Sequence, residues 1–284
     1  MKNKVIAYGC LTVAVLFTAA WLVAAIMLYY TLRDSGSVVY GEPYEQITSF
    51  SARKDFDKFI TGSGIAAPSA EENSGEFVCG TTKTVWAEEK YMLSSANRKG
   101  RILGEEEIAE LDDGFTLTVA VALTYYPLGN YYAIEAYAGW SGGTAADTTF
   151  LSEARGLDYF GLTWGGDGNI MADERSFSGT YADGNAIETA RSNSDSYKGF
   201  VWMFHESSTD GYMTSSAMKI KLEREAETTG NKADLKLTYI HSFNDGIMPP
   251  QIADTSSPRT APSLVTESLN SWQIELNIFE GLEY

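Results

Sequence analysis

Cysteine is nearly absent from this chain. Two occur in 284 residues, Cys10 and Cys79, and the first lies in an apolar segment. That excludes a scaffold stapled by disulfides. Histidine is as scarce, with only His205 and His241. Cys79 and these two histidines, scattered after residue 34, are too few nitrogen and sulfur ligands for a structural zinc site. Positive charge is short as well: 21 Lys and Arg stand against 38 Asp and Glu, a formal charge of -17. Nucleic acids and anionic membrane surfaces select positive proteins, so no nucleic-acid partner is expected. No repeat of fixed period is present. What the chain does have is 44% hydrophobic residues, enough to bury a core in one large domain or two small ones.

The first feature present is an apolar run. Residues 5–32 carry no charge, and a helix of about 20 apolar residues crosses a bilayer. Lys2 and Lys4 precede the run, while Arg33 and Asp34 nearly cancel after it. The positive-inside rule then leaves the N-terminus in the cytoplasm and the rest outside, with Trp21, Tyr29 and Tyr30 toward the outer interface. Competing readings fit less well. A cleaved signal has an apolar region of roughly 7–15 residues, and this run continues past the candidate sites around Ala20 and Ala25. Cys10 comes too early for a lipoprotein, and residues 5–8 are apolar where a pilin-like leader is charged. A buried soluble helix would need a polar face, which is missing.

Residues 35–75 read as a stalk. Within it, residues 42–60 suggest one short helix with Ile47, Phe50 and Phe59 as apolar positions and Gly62 as its stop. From residue 76 the period changes to two. Large apolar residues alternate with Thr and Ala over 115–123. The same alternation recurs over 218–223, 235–240 and 272–278, and less regular strands fit 77–86, 131–137, 158–164 and 199–204. Gly-, Asn- and Asp-rich turns separate them. The fold expected is all-β, an antiparallel β-sandwich or open barrel preceded by one N-terminal transmembrane α-helix. Its divisions are 1–34 (tip and anchor), 35–75 (stalk) and 76–284 (extracytoplasmic domain).

Several motifs suggest chemistry. Gly139-Trp140-Ser141-Gly142-Gly143 has the spacing of a nucleophile elbow, and Ser141 could act with His205 or His241. That motif needs a strand-to-helix turn in a parallel sheet, and the strand pattern here is antiparallel. His241 shares parity with Leu235 and Leu237, which points it inward as a core histidine. Asp167, Asn169 and Asp173 suggest an irregular calcium loop. Met171 and Ala172 exclude an EF-hand, and the acidic stretch from Glu105 to Asp113 reads as a solvated loop. Asp195 and Glu206 cannot be paired as acid and base from sequence alone. Tyr131, Tyr132 and Trp140 crowd one hairpin and could form an aromatic platform for a glycan, or serve as cross-strand packing.

The segments Gly156-Leu157-Asp158-Tyr159-Phe160-Gly161-Leu162-Thr163-Trp164-Gly165-Gly166, Gly199-Phe200-Val201-Trp202, Lys232-Ala233-Asp234-Leu235-Lys236-Leu237-Thr238-Tyr239-Ile240-His241 and the closing Trp272 strand resemble extracytoplasmic β-rich surface proteins of Gram-positive bacteria. The resemblance implies a bacterial extracytoplasmic β domain and brings no catalytic residues with it. The function expected is a membrane-anchored surface module for a cell-wall glycan or a protein partner. The alternative is a structural subunit of a membrane or filament assembly, favoured by small residues such as Ala14, Ala20 and Ala24 that let helices approach closely. A serine hydrolase around Ser141 is third.

Overall fold

The computed structural model describes residues 44–66, 75–91, 98–105, 115–142, 157–166, 168–182, 184–205, 207–208, 211–224, 230–242, 249–266 and 271–284. The expected anchor at residues 5–32 lies outside them. Among the described residues no helix is long and apolar enough to cross a membrane.

The described elements are one helix, α1 (Arg53–Gly62), and strands β1 (Glu45–Phe50), β2 (Glu76–Tyr91), β3 (Arg98–Ile102), β4 (Phe115–Tyr126), β5 (Tyr131–Gly142), β6 (Leu157–Trp164), β7 (Ile170–Tyr181), β8 (Thr189–Asp195), β9 (Gly199–His205), β10 (Ser207–Ser208), β11 (Gly211–Arg224), β12 (Lys232–Ser242), β13 (Gln251–Ile252), β14 (Leu264–Val265) and β15 (Ser271–Glu283). An eight-stranded sheet runs β1-β2-β4-β5-β11-β10, with β3 also on β2 and β7 also on β11; a five-stranded sheet runs β15-β12-β6-β9-β8. Every pairing is antiparallel.

Alternation explains how the sheets pack. In the β4–β5 hairpin the pairs Leu117/Trp140, Val121/Ala136 and Leu123/Ile134 face one side. They join Phe160, Leu162, Leu237, Tyr239 and Leu276 of the other sheet in one buried cluster. This is a β-sandwich, driven by burial of the inner faces.

Each outer face is partly covered. On the five-stranded sheet, Leu264 joins Tyr159, Val201 and Ile240 in a second cluster. On the eight-stranded sheet, α1 lays Phe56 and Ile60 over Ala120, Ala122 and Tyr137. Phe56 comes so close that a Cβ on Gly80 would stand 2.5 Å from its ring. A helix of 10 residues with no side-chain N-cap is marginal alone. Its two buried apolar anchors, each contributing about 1.5–3 kcal/mol, hold it in place.

The stalk boundaries change accordingly. β1 forms a full antiparallel ladder with β2, from Glu45 opposite Val85 to Phe50 opposite Gly80, and α1 packs on the same sheet. Residues from Glu42 onward belong to one unit, so the sandwich begins well before residue 76. The expected helix over 42–60 is a strand followed by a helix, with Ile47 on the strand and 56% exposed. Trp140, Ser141 and Gly142, read as part of a Gly-rich turn, are the end of β5. Asp173, expected in a calcium loop, lies on the 12-residue strand β7.

Candidate functional site

Among the described residues polar side chains gather inside the sandwich, in an outer cleft beside α1, and in a pocket of about 550 Å³ lined by Asp195, Lys198 and Asp254. The inner one centres on Asp158, near the start of β6. Its Oδ2 accepts the Tyr239 hydroxyl at 2.5 Å and lies 3.2 Å from His241 Nδ1, and its Oδ1 accepts the Ser242 amide at 3.0 Å. Trp140 Nε1 donates to the Tyr239 hydroxyl at 3.4 Å, and the His241 ring sits between Trp140 and Trp272 at centroid distances of 5.6 and 4.9 Å. Asp158 and His241 are both 0% exposed. A polar group sealed in this way is stable only when hydrogen-bonded, and the network gives both Asp158 oxygens partners. It offers no opening through which a ligand could reach it.

Ser141 does not join it. Ser141 pairs with Thr116 and exchanges a hydroxyl contact with it at 2.7 Å, on the outer face of the sheet. Its neighbour Trp140 points inward with His241. Period-two geometry therefore puts the serine and that histidine on opposite faces. His205 ends β9 on the other sheet and is exposed. An antiparallel strand end has no elbow, so the serine-hydrolase constellation does not form. The other candidates scatter too. Asp173 is ion-paired with Lys221 at 2.9 Å, and Asp167 and Glu206 lie outside the described residues. Asn169 sits in the turn before β7, its amide bonded to the Gly166 carbonyl. Among the described residues no group of three or more His, Cys, Asp or Glu could hold a metal ion. Asp195 accepts the Tyr197 amide at 2.8 Å, which fixes a turn between β8 and β9.

The outer place is a cleft of about 480 Å³ on the uncovered half of the eight-stranded sheet. Cross-strand rows build it. One row places Phe77 opposite Thr124, Thr124 opposite Ala133, Ala133 opposite Lys221, and Lys221 opposite Glu174. The next row toward the helix runs Ala122, Glu135, Lys219, Ser176, and the row on the other side carries Tyr126 and Tyr131. Thr124 and Ala133 are short, whereas their neighbours are long. The floor is therefore low and the rim high, and α1 stops before covering it.

The rim is charged and internally paired. Arg53 Nε meets Asp57 at 2.7 Å and its Nη2 meets Glu135 Oε2 at 2.5 Å, a close ion pair not aligned as a hydrogen bond. Lys219 Nζ lies 3.6 Å from Glu135, and Lys221 bridges Asp173 and Glu223 at 2.9 Å each. Burial alone would lower the pKa of Arg53, but Glu135 and Asp57 outweigh it and hold the group above its usual value. Hydrogen bonds to Asp173 and then Glu223 raise Lys221. Below α1, burial and then Glu135 push the Tyr137 phenol far above its ordinary range.

Of the three aromatic residues read as either a glycan platform or cross-strand packing, only Tyr131 lines the cleft. Tyr132 and Trp140 are buried on the inner face, at 4% and 3% exposure, so they are core residues. Tyr131 stacks on Tyr126 at 4.7 Å and 11°, with Lys221 Nζ 5.0 Å above its ring. Arg53, Glu135, Lys219 and Lys221 were not picked out by sequence reasoning. Their signal was available in Lys219 and Lys221 alternating with Met218, Ile220 and Leu222, but alternation names a wet face without saying what stands across from it.

No family model and no curated protein matches this chain. Solved structures give faint likenesses. One, described as "pH-induced modulation of Streptococcus parasanguinis adhesion by Fap1 fimbriae", is 11% identical over 68% of this chain and 90% of its own, with a TM-score of 0.30. Another, described as "Pore forming protein", is 9% identical over 72% and 95%, with a TM-score of 0.29. A third, "AvmM Catalyzes Macrocyclization in Alchivemycin A Biosynthesis", is 13% identical over 54% and 82%, with a TM-score of 0.21. Scores this low establish neither a shared fold nor a shared activity.

Proposed function

We propose that the chain is a membrane-anchored, extracytoplasmic binding module. In this reading residues 5–32 cross the bilayer once with the N-terminus in the cytoplasm. The β-sandwich outside presents the outer cleft to a ligand of the cell surface, in keeping with the resemblance to Gram-positive surface proteins. The uncharged run of residues 5–32 behind Lys2 and Lys4 supports the orientation. The observation that carries the binding reading is the cleft itself: an open depression with a low Thr124–Ala133 floor beside α1, rimmed by fixed donors and acceptors. The polar network around Asp158, by contrast, is sealed, with Asp158 and His241 at 0% exposure.

Two experiments test this. Protease added to intact spheroplasts should degrade the sandwich while sparing a short N-terminal fragment; full protection of the sandwich overturns the orientation. Full-length protein in mild detergent should co-sediment with insoluble cell-wall material, and Ala133→Trp, which fills the cleft floor, should abolish that. Equal sedimentation of the variant and the parent protein overturns the cleft as the binding site.

A further inference from the structure

We infer that the outer cleft takes a neutral, hydroxyl-rich polymer, a segment of polysaccharide, and holds it by hydrogen bonds rather than by stacking on the faces of its tyrosines. The inference rests on the binding reading above and adds the ligand class.

Charge is the first argument. Three of the four cations lining the cleft are already committed to carboxylates: Arg53 to Asp57 and Glu135, Lys219 to Glu135, Lys221 to Asp173 and Glu223; the fourth, Arg175, lies with its guanidinium 4.3 Å from the Phe200 ring centroid. An anionic polymer would have to displace these carboxylates while approaching a protein of net charge -17. A cationic polymer would meet Arg53, Lys219 and Lys221 at the rim. A neutral ligand avoids both costs.

Hydrogen-bond chemistry is the second. A sugar hydroxyl donates and accepts at once, so it fits where a donor and an acceptor stand side by side. Every ion pair on this rim provides that. An ammonium has three N–H donors, and a carboxylate has about four lone-pair sites, so a single ion-pair contact exhausts neither. Pre-paired side chains also lose little freedom when a ligand arrives. Thr124 and Ser176 add hydroxyls on the floor and rim.

The third argument concerns the aromatic rings. Tyr126 and Tyr131 cover each other, and Lys221 stands over Tyr131. Gly75 presses so near Tyr126 that a Cβ there would lie 2.7 Å from the ring. The pair therefore offers edges and hydroxyls as a wall, not an open face as a platform. The volume of about 480 Å³ lies within the roughly 300–1,000 Å³ of ordinary ligand sites. Its open side, with Glu174 exposed and Lys219 41% exposed, suits a polymer passing through rather than an enclosed small molecule.

The test is calorimetric titration of the full-length protein in neutral detergent with three probes of similar length: a neutral N-acetylglucosamine hexasaccharide, a sulfated hexasaccharide and a glutamate hexapeptide. The neutral sugar should bind. Its affinity should hold when salt rises from about 0.1 M to about 1 M, which shortens the Debye length from about 10 Å to about 3 Å. Ala133→Trp should weaken it by at least about tenfold, and Ser176→Trp at the rim serves as a second block if the first variant melts early. Preferential, salt-sensitive binding of either anionic probe that both blocks abolish overturns the ligand class and leaves the cleft standing as a site. Binding that neither block disturbs overturns the cleft reading itself. Failure of the neutral sugar to bind while wall material still sediments in a block-sensitive way overturns the polysaccharide class in favour of a protein partner.

Discussion

Asp158 and Glu135 are both carboxylates on strands of one sandwich, and each is held by a basic or hydroxyl partner. Asp158 is 0% exposed and gathers Tyr239, His241 and the Ser242 amide around it. Glu135 keeps 17% of its side chain exposed between Arg53 and Lys219, at the edge of an open cleft. The inner network satisfies its members completely enough to be sealed, so it contributes order to the core. The outer one is less completely paired, since Glu135 Oε2 has no hydrogen bond and Lys219 stands 3.6 Å away, but its rim remains reachable. Polar chemistry alone does not mark a site; access does.

Removing the inner carboxylate should have the largest effect. Asp158→Ala leaves Tyr239, His241 and the Ser242 amide without their shared acceptor in a dry interior, and about 3–5 kcal/mol of stability should go. Denaturant unfolding checks this. Gly80→Val comes next. Its side chain meets Phe56, so α1 must lift, costing about 1–3 kcal/mol and removing one wall of the cleft. Both unfolding and wall binding should register it. Arg224→Ala follows. Arg224 bonds the Tyr125 hydroxyl at 2.6 Å and Asn130 Oδ1, and stacks over Tyr125 at 4.7 Å, which ties the β4–β5 turn to β11. Its loss should cost about 1–2 kcal/mol.

The smallest effect is confined to alkaline pH. Tyr137 keeps its proton in the folded protein well beyond the ordinary range, because of burial first and Glu135 second. In the unfolded chain it ionises near about 10. Its contribution is thus fully present below about pH 10 and is lost as pH rises toward the folded value. Tyr137→Phe should reduce the alkaline decline of stability by about 1.4 kcal/mol per pH unit above that point and leave neutral pH nearly unchanged.

The inner half of this comparison was more legible in sequence than the outer half. β11 and β15 bury one face more than the other, and β4 sends its large residues inward with only Thr and Ala on the face under α1, so their apolar residues alternate plainly; in β12 the parity of His241 with Leu237 already placed it inside. β7 and β8 sit at sheet edges, and edge strands carry charge against stray pairing. The start of β7 accordingly read as part of a calcium loop through Asp173. β1 and α1 merged into one expected helix because Ile47, Phe50 and Phe59 recur at helix-like spacing. The aromatics clustered in the hairpin left platform and cross-strand packing both open; parity turns Trp140 and Tyr132 inward as packing while Tyr131 turns outward. The cleft itself depends on which residues face each other across β4, β5, β11 and β7, and on where α1 stops. Register between distant strands is set by tertiary pairing, which local pattern does not carry.

The most direct measurement compares Asp158→Asn with Ala133→Trp in two readouts, melting temperature and binding of the neutral hexasaccharide. The account predicts that they separate: Asp158→Asn melts several degrees lower and still binds while folded, whereas Ala133→Trp melts with the parent protein and no longer binds. If Asp158→Asn lost binding at full stability while Ala133→Trp bound normally, the inner network would be the functional site and the distinction drawn here would be wrong.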